Sequence, residues 1–156
     1  MASFKYKGQL NGAENPVVID VLVSPAGGAK TATVGAVMTM DALSDGGGCE
    51  VASDGSLVLG ICIGIYQNQI PLQNVPSADL AGTWVESTQT YTAASTNASV
   101  DKVVAKIIAD PMALWENDSA GSLAAADEFK YFDLTSATQI KNQDGHDTTG
   151  AFQLIS

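Results

Sequence analysis

The sequence contains no arginine and one histidine, and only 15% of its residues are charged, against about 25% in an ordinary soluble domain. Arginine is the side chain best shaped to grip phosphates and guanine edges. Without it, and with seven lysines facing 17 acidic residues for a formal charge of -10, a nucleic-acid partner is not expected. A lone histidine cannot build the multi-imidazole ligand sets of most catalytic zinc sites. Long apolar runs are missing too. The longest, Leu57 to Tyr66, holds two glycines and falls well short of the about 20 residues that span a bilayer, so no membrane segment is expected. The opening stretch MASFKYKGQLNG has no apolar core after its lysines and does not read as a secretory leader.

Cysteine is scarce. Cys49 and Cys62 match neither a zinc quartet nor a CxxC redox pair, and they read as reduced, with a disulfide between them left as the alternative. Cys62 lies in the apolar run, where a thiol packs as a small hydrophobe, and Cys49 follows the Gly46-Gly47-Gly48 turn. Catalytic signatures are absent: there is no GxSxG elbow, no HExxH pair, and no lysine after the glycine run to make a phosphate cradle. Asp144, His146 and Asp147 could form a metal or proton-transfer cluster, but Gly145, Thr148, Thr149 and Gly150 around them favour a polar turn. Asp41 and Asp45, like Asp144 and Asp147, lack EF-hand spacing. No cofactor, no metal and no enzymatic activity are expected.

What is present is β-branched and punctuated. Phe4 to Leu10 alternates at period two; Pro16 to Ser24 is compact and β-branched; Thr31 to Met40 reads as a strand that bends at Gly35. Asp54-Gly55 between CEVAS and SLVLGICIGIY signals a hairpin, and Gly60 and Gly64 suit a strand that coils. Residues 67–97 form an excursion carrying Pro71 and Pro76, with a strand pair in TWVESTQTYTA. Val100 to Ala109 has helical spacing but β-branched content, and its short, punctuated flanks favour a strand. Asp110-Pro111 breaks it before a short strand at Trp115. Ala120 to Ala126 could make one helical turn, and Ala151 to Ile155 alternates as a last strand.

The fold expected from the residues is all-β: a small barrel or sandwich of short antiparallel strands with long loops and at most one or two short helices. One domain spans 1–156, with a possible division into halves 1–70 and 98–156 joined by the 67–97 excursion. So neutral a surface implies that part of it is interface. Phe4, Lys5, Tyr6 and Lys7 combine aromatic anchors with two lysines and suit either a docking arm or an ordinary first strand. Trp84, Tyr91 and Trp115 are the other interface candidates, and the tryptophans keep a carbohydrate-binding module, stacking sugars, as an alternative.

The run VDKVVAKIIADPMALWENDSAG, with its Asp110-Pro111 junction followed by Trp115 and Glu116, resembles the decoration (cement) proteins of tailed bacteriophages. The small residues around Leu123 to Asp127, then Asp133-Leu134, then a polar turn ending Thr149-Gly150, are similar in order. Residues 1–70 are similar only in style. The resemblance implies a β-barrel or β-tulip body and a structural virion protein made in the bacterial host cytoplasm. It would bind the outer surface of an assembled lattice of major capsid protein as a homotrimer and bridge capsomers. A head-fibre or tail component is the alternative on the same virion surface.

Overall fold

Alternating and β-branched stretches place one row of side chains on each side of a strand, and strands that bury one row must pair and pack. The computed structural model describes residues 3–12, 14–25, 30–41, 47–53, 56–94, 102–117, 131–132, 134–136, 138–140 and 152–153. Among these the chain is mainly β and its sheets are antiparallel. No described helix is long and apolar enough to cross a membrane.

The first strand, β1 (Lys5–Gln9), is followed by β2 (Val18–Leu22), β3 (Thr31–Thr33), β4 (Val37–Met40), β5 (Cys49–Val51) and β6 (Gly60–Gln67). Next come β7 (Ile70–Pro71), 3-10 turns at Leu72–Asn74 and Ser77–Asp79, β8 (Thr83–Val85), β9 (Thr90–Thr92), β10 (Val103–Ile108) and β11 (Ala113–Glu116). Short strands β12 (Tyr131–Phe132), β13 (Leu134–Ser136), β14 (Gln139–Ile140) and β15 (Phe152–Gln153) follow, pairing β12 with β15 and β13 with β14. The main sheet runs β2-β10-β6-β4-β5, with β7 folded back on β6. A second sheet runs β3-β9-β8, and β1 pairs with β11 in a two-stranded ribbon.

The stretch with ambiguous periodicity is a strand. β10 sits between β2 and β6 and buries Val103, Ala105 and Ile107 on one face, a period-two pattern that β-branched side chains prefer. Its neighbours come from the first part of the chain, so residues 1–70 and 103–116 share sheets. The core beneath includes Val23, Met38, Cys62, Ile65, Leu72, Tyr91, Val103 and Ile107, and Ala32 and Tyr91 bring the second sheet onto it. Val37 and Ile61, register partners, are also buried but alternate with Met38 and Cys62 and so face the other side of the main sheet.

Two strand expectations change. Thr31 to Met40 is two strands in two sheets: Gly35, at φ 79°, takes the third position of a turn closed by Ala36 N–H on Thr33 C=O at 3.1 Å. The strands either side of Asp54-Gly55 do not pair with each other, because β4 lies between β5 and β6. The excursion is more ordered than its composition suggests. Asn68 and Gln69, both at positive φ, close a two-residue hairpin between β6 and β7 without any glycine, and TWV and TYT pair as expected. The main sheet is not a closed barrel. Its edges meet at one isolated parallel bridge, Val23 with Cys49, supported by Ser24 N–H on Cys49 C=O at 2.9 Å.

Candidate interaction surface

The quoted Asp-Pro junction is a hub. Asp110 ends β10, and its carboxylate accepts from Gln9 Nε2 at 2.6 Å, from Val17 N–H at 3.2 Å and from Met112 N–H at 2.9 Å. Its carbonyl accepts from Ala113 N–H at 3.1 Å. One side chain thereby joins the end of β1, the entry to β2 and the turn into β11, and Leu10 N–H on Met112 C=O at 2.9 Å adds a backbone tie. Pro111 suits this turn because it has no N–H to satisfy. Hydrogen bonds to a carboxylate are stronger than neutral ones, but these are exposed or half-buried and water weakens them, so the three together are worth about 2 kcal/mol.

Around the hub lie four exposed apolar side chains: Leu10 at 60%, Val17 at 56%, Val18 at 44% and Met112 at 46% of their full accessibility. Their backbones are fixed by the bonds just given, so the patch is displayed on a stiff frame. Reading for aromatic anchors passes over it. The signal was present in Pro16-Val17-Val18, three residues with no charge, following the polar turn at Asn11-Gly12.

The N-terminal candidates fold as the ordinary first strand. Phe4 is 6% exposed and its N–H donates to Gly35 C=O at 2.9 Å, which seats the strand on the β3–β4 turn. Tyr6 meets Trp115 edge to face, with centroids 5.5 Å apart at 69°. The register slips between Tyr6 and Gly8, leaving Lys7 in a bulge. Lys7 Nζ then lies 2.5 Å and Lys5 Nζ 3.9 Å from the Glu116 carboxylate. Lys7, by hydrogen bond and charge, holds the Glu116 carboxyl below its ordinary value. The two lysines are thus partly neutralised within the ribbon, and no loose basic arm is formed.

The second sheet separates its candidates. Ala32, Tyr91 and Trp84 stand opposite one another on the face toward the core. Tyr91 is fully buried, so it is a core residue and cannot touch a partner. Trp84 is half-buried against the same core, its Nε1 enclosed with no hydrogen-bond partner among the described residues. Tyr91 offers no face on which a sugar could stack. The opposite face is a threonine grid: Thr31, Thr92 and Thr83 in one row, Thr33, Thr90 and Val85 in the next, with Thr33 and Thr90 hydroxyls 2.9 Å apart.

The chemistry left to test concerns the thiols and carboxylates. Cys49 and Cys62 are free and buried, and burial pushes both thiols up to about 12, which leaves them protonated and unreactive at neutral pH. Asp41 is not the exposed turn residue expected: it is buried, accepts from Ser24 Oγ at 2.5 Å and pairs with Lys30 at 3.5 Å, while Lys30 also reaches Glu50 at 2.9 Å. Among the described residues no group of histidine, cysteine and carboxylates could hold a metal. Asp45, Asp144, His146 and Asp147, the helical turn at 120–126 and the Thr149-Gly150 turn lie outside the described residues. Set against family models, curated proteins and solved structures, the chain has no match in any of the three.

Proposed function

We propose that this chain is a non-enzymatic structural protein that binds the outer surface of an assembled phage capsid and acts as a clamp between capsomers. The observation that carries this reading is the Asp110 hub. The Asp110-Pro111 junction, part of the run through which the sequence resembles decoration proteins, is tied into a corner by the Asp110 carboxylate, and Leu10, Val17, Val18 and Met112 beside it are exposed. Exposed apolar side chains grouped on a stiff frame suit docking to a protein surface better than they suit a freely soluble monomer. A protein that binds the assembled lattice and not its free subunits stabilises the particle by mass action, and many weak copies add up. Trimerisation would place several such corners on one particle site and raise the avidity further.

The test uses phage heads assembled from the major capsid protein that this reading names as partner. The purified protein is mixed with heads and with unassembled subunits, and each is sedimented. Saturable co-sedimentation with heads alone, with raised resistance of the heads to heating, supports the reading. Equal binding to free subunits, or none to either, overturns it. Light scattering of the protein alone reads the trimer separately.

A further inference from the structure

Rows of unpaired backbone groups on a sheet edge are a template for another strand. β2 is such an edge. In an antiparallel pair the N–H and C=O of alternate residues point to the same neighbour. Val17 C=O accepts from Ala109 N–H at 3.0 Å and Val23 N–H donates to Val103 C=O at 3.0 Å, so the odd-numbered residues of β2 face β10. Val18 and Asp20 therefore turn their backbone groups outward. No described strand pairs with that side until Val23 and Ser24, where β5 arrives.

The side chains beside this edge give it a chemistry. On the face opposite the core, Val18 stands next to Ile108 and Asp20 next to Lys106, two residues apart along the strand. Val18 is 44% exposed, and the Asp20 side chain is 54% exposed although it pairs with Lys106 at 3.2 Å. Lys106 is shared with the Tyr66 ring, 5.2 Å from its centroid, and Glu14 is exposed just upstream. The edge is thus apolar at one position and acidic at the next. A second copy pairing antiparallel about Asp20 would set that carboxylate beside its own twin, and in any register it would bring together two bodies that each carry a formal charge of -10. A strand with an apolar residue and a lysine or arginine two positions apart fits instead.

We propose that β2 accepts, as an added strand, an extended segment of another protein that presents an apolar residue beside Val18 and a cation beside Asp20. This rests on the reading of the chain as a protein that docks on another protein's surface, and it names where that docking engages backbone. The Leu10, Val17 and Met112 patch then covers the near end of the incoming segment.

The experiment titrates the full chain with a blocked peptide, threonine-valine-threonine-lysine-threonine-valine, and follows amide hydrogen exchange by NMR. Controls are the same peptide with glutamate for lysine, and with alternate amides N-methylated. The expected result is new protection of the Val18 and Asp20 amides, which face away from β10, with binding at least about tenfold weaker for each control peptide. Asp20→Pro removes an outward N–H that bonds no described residue and should abolish that protection; Asp20→Lys, which keeps the N–H, should reverse the preference between the lysine and glutamate peptides. Equal binding of the N-methylated peptide, or chemical-shift changes that leave Val18 and Asp20 unprotected, overturns the proposal. Co-sedimentation with heads separates the two ideas. If Asp20→Pro binds heads as well as the unaltered protein does, the edge proposal falls and the capsid reading stands. If the peptide protects β2 while nothing binds heads, the reverse holds.

Discussion

The main body and the β1–β11 ribbon are held by different forces. In the body, β10 and β6 run side by side through the main sheet, and the second sheet closes over Met38, Ile107 and Tyr91, all fully buried. Removing such apolar surface from water stabilises by about 25 cal/mol per Å², and the effect has no direction. The ribbon instead depends on directed bonds: the Asp110 carboxylate, the edge-to-face ring pair and the lysines on Glu116. Phe4 is its buried anchor. The body can thus vary in detail while its volume is kept, whereas the ribbon's position depends on a few named atoms.

The sharpest way to break this contrast is to empty the body. Tyr91→Ala removes a fully buried ring and should cost about 3–5 kcal/mol, read as a lower urea midpoint for the whole molecule. Loss confined to the β8–β9 hairpin would show the two sheets to be separable. Gly60→Ala tests fit rather than volume. An added Cβ would collide with the Ile108 carbonyl and the Ile107 side chain where β6 crosses β10, and overpacking of that kind costs about 1–3 kcal/mol. At the hub, Asp110→Ala leaves Gln9, Val17 and Met112 donors without their acceptor and should cost about 2 kcal/mol. Its signature differs: exchange should rise first in β1 and β11, with β6 and β10 still protected. Uniform loss of protection would show ribbon and body to be one unit.

The same contrast explains what could be read from residues in order. Alternation marks β1, β-branched content marks β2 and the Asp-Pro break marks β11, while β10, whose apolar spacing is helical, reads as a strand from its β-branched content and short, punctuated flanks; these signals are local. Partner choice is not local. Nothing near Asp54-Gly55 reveals that β4 will enter between β5 and β6, since the competing pairings offer equally apolar strands. Gly35 was visible as a bend, but a turn and a bend differ only in where the next strand finds its partner. The β6–β7 hairpin escaped notice because Asn68-Gln69 lacks the glycine that announces such turns. Among the interface candidates, Tyr91 and Trp84 were aromatic residues in a polar stretch, and aromaticity alone does not say which face of a strand is outward. The exposed patch at the hub went unread because valine, leucine and methionine are by default assigned to a core.

A smaller effect compares the two regions by pH. Burial moves the Cys49 and Cys62 thiols from an ordinary 9.0 up to about 12, so each stays protonated in the fold where the unfolded chain would release its proton. A raised folded value gives stability that is complete below 9.0 and declines as pH rises toward 12, because there the unfolded state binds fewer protons. Stability measured across that window should fall, and replacing both cysteines with alanine should flatten the part of the slope they cause. Absence of any change in slope would mean that the thiols reach water.

The smallest effect belongs to the ribbon and has the opposite sign. The Glu116 carboxyl is held below its ordinary value by Lys7 first and Lys5 after it. A depressed folded value gives stability that is present at neutral pH and lost as acid protonates the carboxylate. All three side chains are more than half exposed, so salt screens the attraction. Glu116→Gln should therefore differ from the unaltered protein only slightly at neutral pH and low salt, and the difference should vanish both in acid and at high salt. The bulge that brings Lys7 to Glu116 is a backbone feature and does not need the charge, so the Tyr6–Trp115 pair should survive in the variant, visible as unchanged near-ultraviolet circular dichroism. Loss of that signal would mean that the ion pair sets the register of the ribbon, and the directed bonds would then extend beyond the Asp110 hub.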